Sequence, residues 1–226
     1  MGALRVNPEV EKIVIVEIDP VAVQRSWLRY PQYGNNVLTH PKVSVIAADW
    51  RDFLSTDQDR YDLIYLDGLG IRLYTQPLST IPQENYLYSR EAYEVIFRER
   101  LAPGGMVAAN WGSTRKEELF DIVANLPPGV HRRGFWGTIS TYPFSGLGLF
   151  FVIASEDAKA LERVGDEILR NGTLKEIPIP DDLSPVRFSD DNPFLQRGLQ
   201  PMLLLPSVPI LIAALFIMLR LYRKSR

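Results

Sequence analysis

Three apolar strand-like runs, each with a carboxylate at its end, constrain this chain most: KIVIVEIDP from Lys12, VSVIAAD from Val43 and YDLIYLD from Tyr61. Helical patterns separate them, and such alternation is the signature of α/β layering around a mainly parallel sheet. Strands are expected at Lys12–Asp19, Val43–Asp49, Tyr61–Asp67, Gly105–Asn110 and Leu147–Ala154, with a weaker one at Val130–Trp136. Helices are expected near Pro20–Arg29, Trp50–Ser55, Arg90–Leu101, Arg115–Asn125 and Asp157–Arg170. Pro20 suits a first helical position and Ser89 an N-cap, while Gly104-Gly105 is read as the stop that ends the Arg90 helix.

At 226 residues the chain suits one ordinary domain with an appendage. A net charge of −2 gives no basic field for nucleic acid, so no nucleic-acid partner is expected. The absence of cysteine excludes disulfides, thiolate zinc sites and a cysteine nucleophile. Only His40 and His131 are present, neither in a ligand pattern, and no metal is expected.

In open parallel sheets, ligands bind beyond the carboxyl ends of the strands. Glu17, Asp49 and Asp67 stand at three successive ends and would converge on one crevice. The first can accept bonds from two ribose hydroxyls and the second from an adenine amine. The third faces whatever lies at the far end of the nucleoside. Any one of these acids alone is more simply a turn former, and Asp19 before Pro20 is read that way. The segment from Gly68 to Tyr88, GLGIRLYTQPLSTIPQENYLY, is a long loop leaving a strand end, a common setting for function. Its candidate substrate contacts are Tyr74, Gln83, Glu84 and Tyr88, against the alternatives of a solvated acid and of core tyrosines.

KIVIVEIDP, HPKVSVIAADWRDFL, RYDLIYLDG and ENYLYSREAYEVIFRERLAPGGMVAANWG, in that order, resemble spermidine synthases and their relatives among class I S-adenosylmethionine-dependent transferases. The resemblance runs from about Glu9 to Gly112 and implies a methyltransferase-type Rossmann sheet. By that resemblance Glu17 binds the ribose diol, Asp49 with Trp50 the adenine, and Asp67 is the first acid of a D-x-x-D motif that deprotonates the attacking amine. The implied co-substrate is decarboxylated S-adenosylmethionine or S-adenosylmethionine itself, the acceptor a small amine such as putrescine. Family members commonly form dimers, so a homodimer is expected too.

The chain departs from the pattern in two places. Gly70 stands where the family has the second acid of D-x-x-D, which weakens the hold on a doubly charged amine. The family's first strand and glycine-rich turn are not found, Met1-Gly2-Ala3-Leu4 being at most their tail, so an N-terminally truncated member is expected. A methyltransferase and a degenerate, non-catalytic module are the competing expectations.

From Gly198 to Leu219 no charge occurs over 22 residues, enough to cross a hydrocarbon core of about 30 Å. Pro206 and Pro209 would kink such a helix near its start. SDDNPFL, from Ser189, resembles membrane-bound relatives in which a synthase-like domain is joined to transmembrane helices. The expected organisation is a transferase domain over 1–175, a proline-rich linker over 176–200, a transmembrane helix over 201–222 and a basic tail over 223–226. Arg220, Arg223, Lys224 and Arg226 favour a cytoplasmic C-terminus, which conflicts with a single span and a cytoplasm-facing domain. The domain is nonetheless expected at the membrane, facing the cytoplasm. No basic region leads into an apolar run after Met1, so no signal peptide is expected.

Overall fold

A computed structural model describes residues 7–27, 29, 37–68, 83–113, 120, 122–139, 147–180, 183 and 190. It is mixed α/β. Strands β1 (Ile13–Glu17) and β2 (Val43–Ala47) form a parallel pair in which Glu17 lies opposite Ala47. Helix α1 (Trp50–Thr56) then leads to β3 (Tyr61–Gly68), which pairs in parallel with β4 (Leu101–Ser113). Strands β5 (His131–Ile139), β6 (Leu147–Ser155) and β7 (Lys175–Ile177) extend this second sheet antiparallel, in the order β3-β4-β6-β5-β7. No described strand joins β1 to β3.

Residues 106–109 of β4 and 150–154 of β6 are apolar without interruption because both faces of these segments are covered. Val107, Ala109, Phe150, Val152 and Ala154 face a core with Tyr93, Ile96 and Phe97 of the helix that begins at Arg90. That helix, α2 (Arg90–Val95), continues as a wider π-type turn over Ile96–Arg100. Met106, Ala108 and Ile153 face the other way, against Leu161 of α3 (Ala158–Arg170). On β3 only one face is covered. Leu66 is buried, whereas Leu63 and Tyr65 are 47% and 45% exposed.

Local chemistry sets the helix ends. The Ser89 hydroxyl accepts from the N–H of Ala92, as its N-cap reading requires, and Asp157 caps α3 through Lys159 and Ala160. Arg60 donates to the carbonyls of Arg98 and Leu101, satisfying the far end of the α2 segment. That end lies at Arg100, not at the glycines. Gly104-Gly105 sits inside β4 at an irregularity where Tyr61 pairs with Leu101 but Leu63 with Met106. Gly104 has φ 76°, and a Cβ on Gly105 would lie 2.8 Å from the Ala102 carbonyl oxygen. The glycine pair therefore shapes a bulge and does not cap a helix.

Two further expectations are modified. The expected helix at Pro20–Arg29 becomes a π-type turn over Ala22–Trp27. Part of the expected linker is packed structure: β7 straddles residue 175, Ile177 is buried, and Ile179 and Leu183 lie against the core. Among the described residues no helix is long and apolar enough to cross a membrane. The expected span over 201–222 lies outside the described residues.

Candidate active site

Glu17 ends β1, Asp49 lies two residues past the end of β2, and Asp67 lies in the last two residues of β3. The N–H of Ala48 donates to the Glu17 carbonyl at 3.1 Å, so the ends of β1 and β2 are bonded side by side. Lys12, just before β1, meets Asp59, just before β3, at 2.6 Å. The starts of β1 and β3 are thus close together, while Glu17 and Asp67 each stand at the carboxyl end of their own strand.

Each acid has a distinct setting. Glu17 is half-buried, and its Oε1 accepts from the N–H of Asp19 at 2.9 Å. Asp19 in turn accepts from Val21, the turn-forming role expected of it. Asp49 is the N-cap of α1: its Oδ1 accepts from Arg51 at 2.7 Å and Asp52 at 3.4 Å. Trp50 packs against the main core, and its Nε1–H is buried without an acceptor among the described residues. A buried unpaired donor is costly, so a ligand acceptor there would be welcome.

Asp67 is exposed, and Asn110 lies opposite it on β4. Two residues back on the same face of β3, the Tyr65 hydroxyl accepts from the Asn110 side-chain amide at 2.6 Å. Burial, and secondarily the Asp67 charge, push the Tyr65 hydroxyl up to about 12, against the weaker opposing effect of the Asn110 bond. Tyr65 therefore keeps its proton at neutral pH beside the candidate base. Tyr65 and Asn110 were missed from sequence, although period-2 alternation places Tyr65 on the Asp67 face.

The loop candidates fare differently. Tyr88 is fully buried, packed in the main core, with its hydroxyl donating to the Asn110 carbonyl at 3.4 Å. It packs as a core tyrosine, the alternative weighed for it against a substrate contact. Gln83 and Glu84 begin a 3-10 turn over Gln83–Tyr88, and their side chains lie outside the described residues, as does all of Tyr74. Among the described residues no three His, Asp or Glu side chains group to hold a metal.

The arrangement suits a nucleoside carrying a cationic centre. Glu17 and Asp49 offer carboxylate acceptors, the Trp50 N–H lacks an acceptor among the described residues, and the Asp67 carboxylate is solvent-exposed. No family model matches the chain. It is 30% identical over 151 residues to putrescine N-methyltransferase 2 of Nicotiana attenuata, covering 62% of this chain and 36% of that protein. It is 26% identical over 161 residues to a spermidine synthase of Dictyostelium discoideum, covering 68% of this chain and 51% of that protein. The chain thus spans between about a third and a half of the length of these relatives. Among solved structures, a spermidine synthase from Thermotoga maritima aligns with TM-score 0.49 and 14% identity over 85% of this chain and 58% of that one. These sequence relatives are named as a putrescine N-methyltransferase and a spermidine synthase, and the chain is similar to them at low identity.

Proposed function

We propose that this chain is the nucleoside-binding part of a transferase that moves an aminopropyl group from decarboxylated S-adenosylmethionine to an amine such as putrescine. The observation that carries the reading is that Glu17, Asp49 and Asp67 each stand at or just past the carboxyl end of a strand, with Asp67 exposed. Glu17 holds the ribose hydroxyls, and Asp49 with Trp50 the adenine. Asp67 attracts the ammonium of the acceptor and takes its proton. The freed nitrogen lone pair attacks the carbon beside the sulfonium, the C–S bond breaks, and a neutral thioether leaves. Tyr65, still protonated, steadies Asp67 without competing for the proton. Gln83, Glu84 and Tyr74 remain proposed amine contacts.

The reading includes a strand between β1 and β3, parallel to both, whose carboxyl end emerges between Glu17 and Asp67. It also includes attachment to a membrane through residues 201–222, with the domain facing the cytoplasm, and a homodimeric assembly.

A second reading, methyl transfer from S-adenosylmethionine to the same class of amine, has its own support. Gly70 replaces the second acid of the synthase motif, and the 30% identical relative is a putrescine N-methyltransferase. The two are separated by incubating the protein with putrescine and each donor and weighing the product. Spermidine formed only from the decarboxylated donor supports the first reading, N-methylputrescine from S-adenosylmethionine the second. No product from either donor rejects both.

A further inference from the structure

Asp190 lies far along the chain from the strand-end acids, yet it closes a small network beside them. Its Oδ1 accepts from the Ser89 hydroxyl at 2.6 Å, across 101 residues of sequence. Its Oδ2 pairs with the Arg51 guanidinium, across 139 residues. Its own N–H donates to Glu91 Oε2 at 3.0 Å. Arg51 also reaches the Ser89 hydroxyl at 3.4 Å.

Each partner stands at a position that matters. Arg51 follows Asp49 and Trp50 directly, and its N–H is the one Asp49 Oδ1 accepts at 2.7 Å. Ser89 is fully buried and caps α2, immediately after the turn that ends the long loop. One carboxylate therefore ties the first turn of α1 to the first turn of α2. An isolated, partly exposed ion pair holds little. This one is anchored on a fully buried hydroxyl, and its carboxylate accepts from two donors while the Asp190 N–H holds Glu91, the arrangement in which charge-assisted bonds become geometrically restrictive.

We propose that Asp190 is a positioning residue: it clasps Arg51 and Ser89 together, and so holds Asp49 and Trp50 in place for the nucleoside. The part concerning the nucleoside rests on the function proposed above. The clasp itself does not. Glu91 supports the geometry: burial raises its carboxyl pKa, but its own backbone N–H, the Asp190 N–H and Arg90 together hold it below the usual value.

The test is Asp190→Asn in the full 226-residue chain, read by hydrogen exchange and by titration with S-adenosylmethionine and its decarboxylated form. The amides of residues 50–54 and 89–93 should exchange about tenfold faster while 107–109 and 152–154 are unchanged, and nucleoside affinity should weaken about tenfold. Asp190→Glu should recover part of both losses, and the exchanged pair Arg51→Asp with Asp190→Arg should recover local protection. Unchanged amides at 50–54, or faster exchange everywhere including β4 and β6, overturns the clasp. Loosened amides with unchanged affinity overturn the positioning role. If the unmodified chain binds neither nucleoside while the variant still frees both helix starts, the clasp stands and the proposed function falls.

Discussion

Lys12 and Asp59 meet at 2.6 Å in front of two strands, β1 and β3, that share no hydrogen bonds. The bridge holds the strand starts within reach of one lysine and one aspartate side chain. Two inter-strand spacings amount to about 9.5 Å, which that reach accommodates. Among the described residues β1 and β3 belong to separate sheets, and Leu63 and Tyr65 of β3 lie exposed.

Free strand edges exchange their amides readily. In the isolated chain, the amides of residues 13–17 and 61–67 that do not serve β2 or β4 should exchange far faster than those of 107–109 and 152–154. Hydrogen exchange read by mass spectrometry checks this. Equal protection across the four segments means those edges are already covered.

Gly105→Ala should destabilise the protein by more than about 1 kcal/mol, since the new methyl meets two carbonyl oxygens rather than yielding side chains. Thermal or urea unfolding measures the loss. Gly129→Cys or similar changes nearby are uninformative here, because a Cβ at Gly129 meets nothing within 4 Å and only its positive φ opposes substitution.

Tyr65 should titrate near pH 12, above the free phenol at about 10, in an ultraviolet titration compared with Tyr65→Phe. The raised value means the folded state prefers the neutral hydroxyl. That contribution is whole below about pH 10 and is lost as pH climbs through 12. The Tyr65→Phe variant should lose this alkaline sensitivity while keeping nucleoside binding.

Asp67→Asn should leave nucleoside affinity within a few-fold and cut the turnover constant by about 10²–10⁴, the usual span for loss of a general base. Steady-state kinetics with the amine varied separates the two effects. A variant with full turnover removes Asp67 from the chemistry.

The sheet was legible because several of its strands are short, mostly apolar runs bounded by turn residues, and three of its acids because each closes such a run. Ser89 announced its cap by standing before an apolar helical pattern. What escaped depends on contacts between distant residues. Leu101 reads as the last apolar position of a helix, but pairing with Tyr61 draws it into β4. Tyr88 carries no local mark of being core, since tyrosine serves equally at a site and in a core. Asp190 meets Ser89 and Arg51 across more than a hundred residues, and no periodicity reports a contact of that range.

The central claim is that strand-end carboxylates bind a sulfonium nucleoside, and calorimetric titration of S-adenosylmethionine and its decarboxylated form tests it most directly. The chain should bind at least one of them with measurable heat, and Glu17→Gln, which cannot accept the ribose diol as a carboxylate does, should lose about tenfold or more in affinity. No heat with either compound, or equal binding by Glu17→Gln, contradicts the account.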